Sequence, residues 1–385
     1  MSVWDDLIGQ EPLAHTLREA VAAARDRLSG GSGRGMTSAW LVTGPPGSGR
    51  SNAARAFAAA LQCRDGGCGQ CHDCHTALLG THPNVTLVAT DRLSIGVDSV
   101  RELVRSAALM PANGRWQVVV VEDADRLTED SADALLKSLE EPSPRTVWML
   151  CAPTAEDVLV TVRSRCRLLV LRTPSPPAIT RMLVDRDGVP EGVAAFAARA
   201  SQGHIGRARR LAHDEATRNR RREILRIPTS LIELGACMVA AANLHEVAQE
   251  EGQGVAATLD AKEVGDLEAI YGASARDGRA RGYPGALSTL KKDQSKRRTR
   301  VVRDTIDGAL IDLLSFYRDV LALQTGARTA LVNDELRADI DSLARRGSAD
   351  STLRRMEAVL KCREAIAANA APLLALESMM LDLRV

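Results

Sequence analysis

The sequence predicts an α/β domain built on a parallel sheet, then a short helical segment, then an all-helical remainder. Three observations carry this. Aliphatic runs at 39–43, 117–121 and 146–151 alternate with stretches of helical apolar spacing, which is the pattern of a parallel sheet covered by helices. A glycine-rich loop, Gly44-Pro45-Pro46-Gly47-Ser48-Gly49-Arg50-Ser51, joins the first run to a helical stretch. The alternation breaks at Thr173-Pro174-Ser175-Pro176-Pro177, and from about residue 215 no strand pattern returns.

Each element follows from local pattern. Leu13, Leu17, Val21 and Ala24 recur at helical spacing within 10–28. Ala39–Thr43 reads as a strand and Ser51–Leu61 as a helix, the context a phosphate-binding loop requires. Residues 62–75 read as a cysteine-rich loop and Asn84–Ala89 as a strand. Val97–Ala108 reads as a helix with Val97, Val100, Leu103 and Val104 on one face. Gln117–Val121 and Thr146–Cys151 have the composition of strands buried on both faces, and Leu168–Leu171 is expected to be a further buried strand. Ser131–Glu140 is helical and is stopped at Pro142. Residues 178–213 hold about three short helices, and long helical patterns occupy Thr305–Leu323 and Leu353–Ala368. The stretch 272–303 is rich in arginine and lysine and carries two glycines and a proline, so it is expected to be mobile at least in part.

Composition excludes several classes. With 385 residues, two or three domains are expected. A net charge of +1 provides no global field toward nucleic acid or acidic lipid, so any such contact must come from a local basic face. No run of 18 apolar residues exists, and Asp5 and Asp6 stand where a secretory leader would be basic. The sequence therefore reads as cytoplasmic, with no membrane contact, and its eight cysteines suggest metal or thiol chemistry before disulfides.

The glycine loop fits the phosphate-binding pattern except that arginine stands at the lysine position. Gly44, Gly47 and Gly49 let backbone N–H groups converge on phosphates, and Ser51 is placed to reach a magnesium ion. Arg50 presents a wide planar fork where a compact ammonium is needed, so ATP or ADP affinity at this site is expected to be weak or absent. The strand at 117–121 runs into Glu122-Asp123, the reverse of the Asp-Glu order of a hydrolytic site, and a shift of about 1 Å in such a group can cost about 100-fold in rate. A ligand-free turn and simple acidic capping of a strand are the bland alternatives. Cys63, Cys68, Cys71 and Cys74 have the spacing and thiolate softness of a closed, structural zinc site, with His72 and His75 as possible substitute ligands. Cys151, Cys166, Cys237 and Cys362 read as small buried hydrophobes.

Taken with Leu135-Leu136-Lys137-Ser138-Leu139-Glu140-Glu141-Pro142 and Ser164-Arg165-Cys166, these features resemble the subunits of the bacterial DNA polymerase III clamp loader, within the AAA+ family. The resemblance implies an AAA+ P-loop domain over 1–172 with a zinc module at 63–74, a helical lid over 173–214, and a helical collar over 215–385 that packs in a ring with other subunits. It implies that Ile8, in Ile8-Gly9-Gln10, packs on an adenine. It also implies as partners the gamma/tau and delta subunits and primer–template DNA, with the sliding clamp a further candidate.

Four departures from the motor subunit point instead to the stator class, which does not hydrolyse ATP. They are Arg50, the inverted Glu122-Asp123, the lack of a hydroxyl at Ala152-Pro153, and Gly206 where the lid arginine belongs, with Arg207 one residue late. The motor's C-terminal extension is also not expected after residue 385. In that class Arg165 is the residue offered in trans to ATP on a neighbouring subunit, and such an arginine is worth about 10³–10⁵ in rate. An ATP-hydrolysing, gamma/tau-like motor subunit is the alternative. Arg101 and Arg105, four apart on one helix, correspond to a helix that tracks template phosphates in the family, though a solvated helix face explains them equally well.

Overall fold

The computed structural model describes residues 2–90, 94–111, 115–271 and 283–384. The chain divides into two compact units, Met1–His213 and Asp214–Val385.

The first unit is built on five parallel strands: β1 (Ala39–Thr43), β2 (Val85–Val88), β3 (Gln117–Val121), β4 (Thr146–Ala152) and β5 (Arg167–Val170). They lie in the order β2-β3-β4-β1-β5. Every residue of β1, β3 and β4 is buried, as their aliphatic composition requires of central strands. Successive side chains go to opposite faces. Trp40, Val42, Val118, Val120, Val147 and Met149 meet α1 (Glu11–Leu28) and α2 (Arg50–Gln62) on one side. Leu41, Val119, Val121, Trp148 and Leu150 meet α4 (Val97–Ala107) and α5 (Glu129–Glu140) on the other. The alanines of α2 let it lie close to the sheet, where Phe57 meets Trp40 edge to face at 5.5 Å between ring centroids.

Two expectations change here. β5 is an edge strand rather than a buried one: Leu168 and Val170 are exposed and only Leu169 is buried. A short aliphatic run reads the same whether one or both faces are covered, so its position at the sheet edge could not be read from it. The expected loop at 62–75 ends early, because α3 (His72–Leu79) begins within it, with Cys71 accepting from Cys74 N–H as its N-cap. After a short helix α6 (Val160–Arg163), the helices α7 (Pro176–Asp185), α8 (Glu191–Ala200) and α9 (Ile205–His213) share a small core of their own around Ile179, Leu183, Ala197 and Leu211.

Among the described residues the second unit is helical: Glu215–Ser230, Leu234–Tyr271, Tyr283–Gln324, Arg337–Arg346, Ala349–Ala367 and Pro372–Leu383. Its core gathers Leu313, Phe316, Tyr317, Ile340, Val359 and Met380. A buried polar network crosses it. Arg221 donates to Asp312 at 2.8 Å and to Asn333, and Asp319 accepts from both the backbone and side-chain N–H of Asn333 at 2.8 and 3.0 Å. The basic stretch expected to be mobile is, over 283–303, the first half of the Tyr283–Gln324 helix. Arg297 there holds Asp260 and Glu263, each at 2.6 Å, which turns a run of repelling cations into one half of an ion-paired helix hairpin. Residues 272–282 lie outside the described residues.

Candidate functional site

The phosphate-loop glycines adopt the conformations that the motif demands. Gly47 and Gly49 have φ of 77° and 97°, and Gly49 caps α2. The loop is nevertheless turned inward. The imidazole of His204 lies directly against Gly47, so that a Cβ there would fall 2.1 Å from the ring. Ile205 N–H donates to the Gly47 carbonyl at 3.2 Å, and His204 Nδ1 accepts from Arg207 N–H, capping α9. Burial, with Arg210 and Arg207 nearby, lowers the pKa of His204 and favours its neutral form. Arg50 bends back and donates to the Gly44 carbonyl at 2.7 Å. Ser51 is half-buried in the first turn of α2, and the buried Ser48 hydroxyl has no hydrogen-bond partner among the described residues.

The acidic pair is equally committed. Glu122 accepts from Arg55 Nε and Nη2 at 2.8 and 2.7 Å, and Asp123 accepts from Thr90 N–H at 3.2 Å. Arg55 was missed by sequence reasoning, although a lone cation within the alanine run of α2 signals a buried partner. At the end of β4, Pro153 gives its carbonyl to Gly44 N–H, and Thr154 N–H donates to Asp157. Ile8 lines an open cavity of about 370 Å³ with Trp4, Arg18, Met182 and Arg186. Gln10 clamps the same segment to the chain after β5, its amide both donating to and accepting from the Arg172 backbone. His204 on Gly47 and Arg50 on Gly44 thus give two positions of the loop internal contacts.

Cys63, Cys68, Cys71 and Cys74 converge, with all four Sγ atoms within 4.8 Å of one another and Cys63 and Cys71 3.8 Å apart. Four thiolates about 2.3 Å from a tetrahedral zinc would lie at such separations. Backbone N–H groups of Asp65 and Cys68 point at Cys63 Sγ, that of Gly69 at Cys74 Sγ, and that of Cys74 at Cys71 Sγ. Burial raises the Cys63 thiol, but N–H bonds from Cys68, Gly67 and Asp65 outweigh it and bring the pKa down to about 7. Burial pushes the Cys74 thiol upward instead. The donor set fits a metal ion, and His72 and His75 are not part of it. The N-terminal segment is pinned to this module by Trp4 Nε1 on the Gly66 carbonyl and Val3 N–H on the Gly67 carbonyl, both at 3.0 Å. A Cβ on Gly67 would lie 2.6 Å from Val3. Of the other cysteines, Cys151, Cys237 and Cys362 are buried, while Cys166 is only half-buried.

Arg165 lies far from this loop in sequence, on the turn between α6 and the exposed edge strand β5. Its guanidinium reaches Glu140 and the Thr161 carbonyl. Arg163 donates to the Ala155 carbonyl at 3.3 Å. Arg101 and Arg105 are exposed on α4, the first 3.6 Å from Asp98.

Residues 31–175 match the profile of the family described as "DNA polymerase III, delta subunit". That region alone does not separate subunits, because the gamma/tau subunit of Mycobacterium bovis is 32% identical over 193 residues, 49% of this chain and 32% of its own. Residues 302–384, in the helical unit, match "DNA polymerase III, delta subunit, C terminal". The chain is thus similar in both units to DNA polymerase III subunits, and its N-terminal part to those named delta'. DNA polymerase III subunit delta' of Haemophilus influenzae is 36% identical over 153 residues, 39% of this chain and 47% of that protein. That of Escherichia coli is 38% identical over 149 residues, 37% of this chain and 44% of its own. The chain thus spans about half the length of the delta' relatives it matches. No helix among the described residues is long and apolar enough to cross a membrane.

Proposed function

We propose that this chain is the stator of a clamp loader: it hydrolyses no ATP itself, helps load the sliding clamp onto primed DNA, and lends Arg165 to ATP held by a neighbouring gamma/tau-type subunit. One observation carries the reading. Four positions of the loop and acidic pair have internal partners: Gly47 meets His204, Arg50 meets Gly44, Glu122 meets Arg55 and Asp123 meets Thr90. Arg165 also has internal contacts, to Glu140 and Thr161, but it stands on an exposed turn beside the open edge of the sheet.

The four cysteines hold a structural zinc, which ties the N-terminal segment, the end of α2 and α3 together when bound. The chain works in the cytoplasm at the replication fork, within an assembly that also contains delta. Its domains divide at 172 and 214 into nucleotide-binding-like, lid and collar parts, and Arg101 and Arg105 face the template phosphates in that assembly. Reconstitution tests this directly. Gamma/tau and delta without this chain should fail to load clamps on primed DNA, and adding it should restore loading. Full loading in its absence would refute the stator role.

A further inference from the structure

Arg165 is held by a specific constellation. Its Nε donates to Glu140 Oε1 at 2.6 Å, and its Nη2 pairs with the same carboxylate. Its Nη1 donates to the Thr161 carbonyl at 2.7 Å and to Ser164 Oγ at 3.3 Å. A guanidinium carries five N–H donors, and these four contacts leave one, on Nη2, for an acceptor outside the chain. Glu140 therefore grips the inner edge of the fork without using up the whole group.

Stability does not explain where this carboxylate sits. Glu140 is the last residue of α5, where the helix dipole disfavours negative charge. Its side chain is 48% exposed and that of Arg165 33%, so the pair contributes little to the fold. Its consequence is geometric, because a long, flexible arginine is fixed in one orientation before any partner arrives, and orientation settled in advance lowers a reaction barrier.

We infer that Glu140 is the positioning residue of Arg165, aiming its remaining Nη2 hydrogen at the γ-phosphate of ATP on the adjoining subunit. This rests on the reading of Arg165 as a trans donor. The test uses the reconstituted clamp loader carrying Arg165→Ala, Glu140→Ala or Glu140→Gln, with ATP turnover measured against ATP concentration on primed DNA. Glu140→Ala should lower kcat about tenfold and leave KM within about twofold, as expected for a group misplaced by less than 1 Å. Glu140→Gln, nearly isosteric and keeping one acceptor oxygen, should recover kcat to within about threefold. If Arg165→Ala slows turnover while Glu140→Ala leaves kcat unchanged or raises it, the positioning role is overturned. If Arg165→Ala itself has no effect, the trans-donor reading fails, and the role of Glu140 with it.

Discussion

Replacing Arg50 with lysine restores the phosphate-loop consensus, yet the isolated chain should still turn over almost no ATP. Two obstacles survive the substitution. Glu122 stays held by Arg55 through contacts of 2.8 and 2.7 Å, with its side chain only 14% exposed. His204 stays against Gly47 of the phosphate loop. If each costs about 100-fold, as a misplacement of about 1 Å can, then turnover falls about 10⁴-fold below a typical 10 per second, to about 10⁻³ per second. The assay is phosphate release by the purified chain at saturating magnesium and ATP, comparing wild type, Arg50→Lys and Arg50→Lys with His204→Ala. The second substitution uncovers the loop and should raise nucleotide affinity above that of Arg50→Lys alone. Turnover near 1 per second by the single variant would refute the reasoning, since Arg50 would then be the sole defect.

Purified chain should carry one zinc, and Cys74→Ser should lose it and expose residues 63–79 to protease; metal content unchanged in that variant would rule out the four-cysteine site. Arg221→Ala should destabilise the helical unit by about 3–5 kcal/mol in urea, because it removes the buried guanidinium that pairs with buried Asp312, and a loss under about 1 kcal/mol would contradict this. His82 should make stability pH-dependent. Burial lowers its folded pKa against the opposing pull of Asp73, and its Nδ1 accepts Asn84 N–H, which needs the neutral ring. The unfolded chain then binds the proton more readily, so the contribution is complete above the unfolded pKa of about 6.5 and is lost as pH falls below it. His82→Gln should flatten the thermal midpoint over that window, and an unchanged slope would remove His82 as the cause.

Much of the fold was legible because its signals are local. The all-aliphatic β1, β3 and β4 announce buried parallel strands, the glycines announce the turn into α2, and the cysteine spacing announces the cluster. What escaped depends on residues distant in sequence. Nothing near Gly47 signals that His204 covers it, and Arg55 and Glu122 stand 67 residues apart. The charges of 272–303 were counted without Asp260 and Glu263, which pair with Arg297 across the helix hairpin. β5 looked buried because a short apolar run does not reveal whether a sixth strand will cover its edge. Arg165 was legible as a motif, but Glu140, which fixes its direction, was quoted only as part of a helix end.

The central claim is that this chain's chemistry is performed in a neighbouring subunit, and one measurement reaches it most directly. ATP hydrolysis by the clamp loader assembled with Arg165→Ala should be slowed by about 10³-fold or more at the site adjoining this chain, followed in a single turnover, while assembly and ATP binding stay intact. Hydrolysis there at the wild-type rate would contradict it.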